Sequence, residues 1–277
     1  MKAWVNGRLL DSVEDPAVGV LDHGLVVGDG VFETVAVVDG HPFALTRHLD
    51  RLARSAAGLG IGAPDDSLLR EGVAATVAGQ DLPFGRIRIT MTSGPGPLGS
   101  PRGSGRPTYV VVTEAAERPP TVSHIATVPW VRNERGALVG LKTTSYAENA
   151  LMVEYARARG ASEAVMANTR GDLCEGTGSN IMYVLNGQLV TPTLRSGCLA
   201  GITRALALEW LAADFDIVER DAPMSVLSEA DEVMLLGTTR MIQAIDRVDD
   251  RELPAPGPLT ARARERWEKM FEEISDP

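Results

Sequence analysis

The chain has 277 residues, enough for one large or two medium cores, with 44% hydrophobic and 23% charged residues. A net charge of −10 with no basic run argues against nucleic acid as the main partner. No apolar stretch approaches the ~20 residues of a membrane span, and the first residues carry no signal-peptide apolar region. Two cysteines and four scattered histidines show neither a disulfide framework nor metal-ligand spacing. The expectation is a cytoplasmic, metal-free protein.

Short apolar runs open the chain at Ala3–Val5 and Leu9–Leu10, before the first clear strand at residues 31–38. That strand is rich in β-branched residues and ends at Asp39-Gly40, a hairpin-turn pair. Leu45, Leu49, Leu52, Ala56 and Leu59 keep the three-to-four spacing of one buried helical face over 43–59, with Arg51 on the polar side. A second helix is predicted over 66–78, then strands over 85–92 and 108–113. Between these strands, residues 93–107 are dense in Gly, Pro and Ser, and a loop of that length is usually functional or disordered. Residues 114–120 carry charge and two prolines and read as a linker. Beyond it, helices over 147–159, 203–213 and 259–273 alternate with strands over 163–167, 181–185, 188–191, 216–220 and 232–236. The whole is a mixed α and β chain in two parts.

Lysine is nearly absent. Only Lys2, Lys142 and Lys269 occur among 27 basic residues, and Lys142 alone is interior. Arginine stays protonated and is a poor nucleophile, whereas a desolvated lysine amine can attack a carbonyl. An ordinary lysine at a strand end is the plainer alternative. Gly201-Ile202-Thr203 stands before an amphipathic helix, where free amides and a hydroxyl suit a phosphate. Thr238 follows a strand and could add a donor to the same anion. Glu175 opens Glu-Gly-Thr-Gly-Ser-Asn180, whose glycines would let backbone wrap a flat ligand. Arg102 and Arg106 lie in the long loop, where either could clamp a carboxylate. A capped helix, a plain turn and solvated charges are the alternatives for these motifs taken singly. Together, an amine for an aldehyde, a phosphate site and a carboxylate for a ring nitrogen describe pyridoxal 5′-phosphate.

The order Arg51, Lys142, Glu175, Gly201-Ile202-Thr203, Gly237-Thr238 resembles the fold-type IV, or class IV, pyridoxal-phosphate aminotransferases. The likeness also takes in Gly28-Asp29-Gly30-Val31-Phe32-Glu33, His48-Leu49-Asp50-Arg51-Leu52 and Ala230-Asp231-Glu232-Val233, and so covers nearly the whole chain. The family includes D-amino-acid and branched-chain aminotransferases and 4-amino-4-deoxychorismate lyase. The resemblance implies an α+β, mixed α and β fold of two domains with the cofactor between them. The expected boundaries are a smaller domain over 1–115, a linker over 116–130 and a larger domain over 131–277 carrying the lysine. It also implies a homodimer using amino-acid and 2-oxo-acid substrates, with no nucleic-acid or membrane partner.

Carried across, Lys142 is the Schiff-base lysine and proton shuttle, and Glu175 pairs with the pyridine nitrogen. Arg51, Ile202, Thr203 and Thr238 hold the phosphate, the isoleucine through its amide. Tyr146 lies near the ring hydroxyl, four residues after the lysine where some members have five. Arg88 and Arg102 are the candidates for the substrate carboxylate. The loop reads Ser100-Pro101-Arg102-Gly103, without the histidine typical of D-amino-acid members. Residues 86–92 lack the tyrosine typical of branched-chain members. The expected activity is transamination between an amino acid, D favoured, and a 2-oxo acid. The alternatives are the lyase, releasing 4-aminobenzoate and pyruvate, then a branched-chain L-amino-acid enzyme or a non-enzymatic cofactor-binding protein.

Overall fold

The computed structural model describes residues 1–277. The strands are β1 (Lys2–Val5), β2 (Arg8–Leu9), β3 (Gly30–Val38), β4 (His41–Pro42), β5 (Phe84–Thr92), β6 (Thr108–Ala115), β7 (Val122–Arg132), β8 (Glu163–Asn168), β9 (Leu173–Gly176), β10 (Asn180–Leu185), β11 (Gln188–Thr191), β12 (Ile217–Glu219), β13 (Glu232–Gly237), β14 (Met241–Val248) and β15 (Arg251–Glu252). The helices are α1 (His23–Val26), α2 (Leu45–Leu59), α3 (Asp66–Val77), α4 (Ala147–Arg157), α5 (Ile202–Leu211) and α6 (Pro258–Glu273). They form two compact units. One comprises residues 1–118, 141–146 and 275–277, and the other 119–140 and 147–274.

The first unit is a six-stranded antiparallel sheet, ordered β2-β1-β6-β5-β3-β4, with α2 and α3 against it. Asp39 and Gly40 both take positive φ in the hairpin between β3 and β4, as their residue types anticipate. Leu49, Leu52 and Ala56 of α2 and Leu69 and Val73 of α3 meet Val31, Val35, Ile87, Ile89 and Val111 of the sheet in one core. Strand alternation therefore sends Glu33 toward that helical side, while Phe32 points to the other face. Gly60 ends α2 with φ of 74°, a left-handed cap that glycine adopts at little cost.

The second unit holds a nine-stranded mixed sheet, ordered β12-β11-β10-β13-β14-β7-β8-β9, with β15 beside β14. One core gathers Ile125, Val165, Ile181, Tyr183, Val233 and Ile245, and a second packs Met152 and Ala156 of α4 on Ala164, Met166 and Cys174. Helices α5 and α6 meet through Trp210 and Trp267, whose ring centres are 4.8 Å apart. No helix is long and apolar enough to cross a membrane.

Two expectations about boundaries change. Residues 116–130 are not a linker, because Val122–Arg132 is a strand paired in parallel with both β14 and β8. Lys142 belongs to the first unit, not the second. Its carbonyl accepts from Phe32 N–H at 2.9 Å, Thr143 bridges Val31, and Thr144 N–H donates to Gly30 at 2.8 Å. The segment thus continues the edge of β3, where backbone groups left unpaired would cost free energy.

Candidate active site

In the first unit the lysine stands over an aromatic floor. Lys142 Nζ lies 4.4 Å from the centre of the buried Phe32 ring and 5.6 Å from that of Tyr146. Tyr146 meets Phe32 edge-on, with centres 5.0 Å apart and planes at 86°. The lysine segment is seated on α2 as well. Lys142 N–H donates to Ser55 Oγ at 3.2 Å, and Leu141 fills the place a side chain at Gly58 would need. Arg88 lies across the sheet from Thr34. Its guanidinium carbon stands 3.2 Å from the centre of Phe32, and Nε donates to Thr90 Oγ1 at 3.3 Å. Desolvation by the surrounding protein holds the Arg88 pKa down at about 10, against attraction from Tyr146 and Glu33. The fold therefore brings Lys142, Tyr146 and Arg88 together around one ring that sequence reasoning did not single out. A large aromatic inside the β-branched run of β3 was the available signal.

Beneath that floor is a buried ionic cluster. Arg51 donates from Nε to Glu33 Oε1 at 2.8 Å and from Nη2 to Oε2 at 2.6 Å, and His48 Nδ1 lies 2.7 Å from Oε2. Burial alone would raise the Glu33 pKa, but Arg51 and His48 overcome it and hold it at about 2. Burial pushes the His48 pKa down. Arg51 is thus buried, not on a solvated helix face, and its charge is matched by Glu33.

Arg102 sits apart from this group. It forks onto Asp29, Nε to Oδ2 at 2.7 Å and Nη2 to Oδ1 at 2.8 Å, and caps the carbonyls of Leu59 and Gly60 at 2.8 Å each. The loop arginine in this way ties residues 93–107 to the last turn of α2.

In the second unit a carboxylate and a helix start share one asparagine. Glu175 on β9 is buried, and its Oε2 accepts from Leu199 N–H at 2.9 Å. Asn180 Nδ2 donates to Leu199 O at 2.8 Å and lies 3.5 Å from Glu175 Oε2. Arg132 Nη2, which the sequence did not flag, stands 3.5 Å from Glu175 Oε1. A Cβ on Gly201 would lie 1.9 Å from Asn180 Oδ1, so only glycine admits this approach. Gly201 precedes α5 without any side-chain cap, followed by buried Ile202 and Thr203. A first turn without a capping side chain keeps its amides oriented toward an anion. Asn180 also pairs in register with Leu236, two residues before the half-buried Thr238.

Each unit by itself offers groups that suit pyridoxal phosphate: in the first an amine over Phe32 and Tyr146, in the second a helix start without a side-chain cap and a buried carboxylate. A model of the "Amino-transferase class IV" family matches residues 30–248. The chain belongs to the class IV aminotransferase family. Among similar proteins is a putative branched-chain-amino-acid aminotransferase of Methanocaldococcus jannaschii, 32% identical over 98% of this chain and 96% of the relative. A D-alanine aminotransferase of Staphylococcus haemolyticus is 28% identical, with 99% of each chain covered. The crystal structure of a branched-chain aminotransferase from Thermoproteus uzoniensis with norvaline superposes with a TM-score of 0.88 and 31% identity, covering 98% of this chain and 94% of that one. As a class IV aminotransferase the protein is a pyridoxal-phosphate-dependent enzyme of fold type IV.

Proposed function

We propose that this aminotransferase moves an amino group between an amino acid, with D-amino acids favoured, and a 2-oxo acid. The observation that carries the reading is the placing of Lys142 and Arg88 on the same Phe32 ring: an amine suited to proton transfer beside a guanidinium suited to a carboxylate. Bound pyridoxal phosphate supplies an electron sink for a carbanion at the donor's α-carbon. Lys142 would hold the cofactor and would serve as the base whose Nζ takes the proton from the donor's α-carbon. Glu175 keeps the ring nitrogen protonated. Ile202 and Thr203 bind the phosphate through the α5 amides and hydroxyl, with Thr238 and Arg51 as further ligands, and Tyr146 lies toward the ring hydroxyl. Arg88 takes the substrate carboxylate. Arg102, the other candidate, is engaged by Asp29, which leaves Arg88 as the stronger assignment.

The D preference rests on the likeness to D-alanine aminotransferases; the Gly28–Thr34 segment and the Arg102-Gly103 pair resemble the lyase and the D-amino-acid members alike. The test is a half-reaction. Holoenzyme mixed with D-alanine or L-leucine is followed by absorbance for conversion of the cofactor to its amine form. Conversion by D-alanine at the higher rate supports the reading. Faster conversion by L-leucine overturns the D preference. No conversion by either, together with release of 4-aminobenzoate from 4-amino-4-deoxychorismate, makes the protein a lyase.

A further inference from the structure

Glu163 lies at the start of β8, is 2% exposed, and has no part in the chemistry above. Its carboxylate faces donors on every side. Oε1 accepts from Thr177 N–H and from its neighbour Ala164 N–H at 3.1 Å each, and from the Thr177 hydroxyl. Oε2 accepts from Ser179 Oγ at 3.1 Å and Gly178 N–H at 3.3 Å. Both carboxylate oxygens are thus held by more than one hydrogen bond.

Both glycines of the Glu175–Asn180 segment lie against Glu163, and at Gly176 the approach leaves no room for a side chain. A Cβ on Gly176 would come within 2.6 Å of Ser179 Oγ and 3.1 Å of Glu163 Cγ, and one on Gly178 within 3.6 Å of Glu163 Oε2. The chain wraps a glutamate here, where the sequence suggested that it wraps a flat ligand. The turn so held joins Glu175 to Asn180, the residues that meet at Leu199 before α5.

Glu163 also reaches the turn after β13. Arg240 Nη2 stands 3.9 Å from its Oε2 and donates to Ser162 O at 2.9 Å, while Arg240 Nη1 donates to the buried Gln243 at 2.6 Å. Arg240 follows Thr238 by two residues. A Cβ on Gly237 would lie 3.5 Å from Gly178 O and from Ser179 Cβ, so the two turns are adjacent.

We propose that Glu163 is a positioning residue that locks the Thr177–Ser179 turn and the Gly237–Arg240 turn together, so that Glu175 at the ring nitrogen and Thr238 at the phosphate are set by one buried carboxylate. The inference rests on the roles given to Glu175 and Thr238. Gln in place of Glu163 keeps the volume but turns an –NH₂ toward donors that need an acceptor. The loss is felt at both turns.

The test is a double-mutant cycle on purified protein with Glu163→Gln, Glu175→Gln and the pair. It is read by the dissociation constant for pyridoxal phosphate and by the pH dependence of the bound cofactor's absorption. A residue that only stabilises the fold changes melting temperature and combines additively with Glu175→Gln. A positioning residue couples to it. The expectation is about tenfold weaker cofactor binding in Glu163→Gln, the scale of one buried acceptor lost, and a shifted absorption profile that Glu175→Gln largely masks. Thr177→Val with Ser179→Ala removes the two hydroxyl donors and leaves the carboxylate in place. It reports on the lock if Glu163→Gln does not fold, and is expected to weaken cofactor binding and shift the profile in the same direction. Wild-type binding and absorption in either folded variant, or strictly additive effects, would overturn the proposal while leaving the function standing. An unaltered profile in Glu175→Gln would overturn the Glu175 assignment first, and the proposal with it.

Discussion

Arg51 forks onto Glu33 inside the first unit, with both side chains buried and nitrogen–oxygen distances of 2.8 and 2.6 Å. A buried carboxylate is costly unless it is paired and hydrogen-bonded, and here three donors from α2 supply that pairing. The folded-state pKa of about 2 lies below the ordinary value of 4.5. A depressed carboxylate pKa contributes stability that is present above the unfolded value and lost as pH falls through the folded one. The thermal midpoint should therefore fall between about pH 4.5 and 2, with up to roughly 3 kcal/mol at stake. Glu33→Gln should flatten this part of the profile at the cost of a lower midpoint near neutrality. A parent and variant that lose stability in parallel through this window would assign the acid transition to other groups.

Arg51→Ala should weaken pyridoxal phosphate binding by about 2 kcal/mol, the scale of a charge-assisted hydrogen bond, and should also lower the thermal midpoint, because Glu33 loses its buried partner. Thr203→Val should act in the same direction. Both are measured by cofactor titration, with pyridoxal lacking the phosphate as the control. Equal losses for the two compounds would mean that these residues do not meet the phosphate.

The residues proposed for this site stand out in the sequence for a physical reason. Lys142, Glu175 and Gly201-Ile202-Thr203 each sit at a change of element, where the pattern of apolar residues stops and chemistry-bearing types stand out. The helix over Leu45–Leu59 and the strands at Gly30–Val38, Phe84–Thr92 and Asn180–Leu185 follow their apolar periods closely. What was not legible depends on pairing across long separations. Val122–Arg132 holds Pro129 and reads as loop, yet it lies between β14 and β8. Met241–Val248 mixes polar and apolar residues, and its pairing with β13, β7 and β15 makes it a strand. Glu33, Glu163 and Arg132 look like surface charges until residues 14 or more positions away close around them.

The two arginine candidates separate by their present partners. Arg88→Ala should raise the Michaelis constant for amino acids and 2-oxo acids by about tenfold or more, with a smaller effect on amines lacking a carboxylate, because a charge-assisted pair is lost. Arg102→Ala should affect both substrate classes equally and speed proteolysis within residues 93–107, since it ties that loop to Asp29 and α2. A carboxylate-selective effect at Arg102 alone would reverse the assignment.

Glu175→Gln should leave the cofactor bound but slow the proton-transfer step by on the order of 10²-fold, as the electron sink weakens. Stopped-flow absorbance under single-turnover conditions measures that step apart from product release. Near-normal rates would mean that the ring nitrogen has another partner.

The central claim is that Lys142 carries the cofactor, and borohydride reduction of the holoenzyme followed by peptide mapping tests it most directly. The account predicts one modified peptide, containing Lys142, and none in Lys142→Ala. Modification at Lys2 or Lys269 in its place, or a Lys142→Ala protein that is still trapped and still turns over, would contradict it.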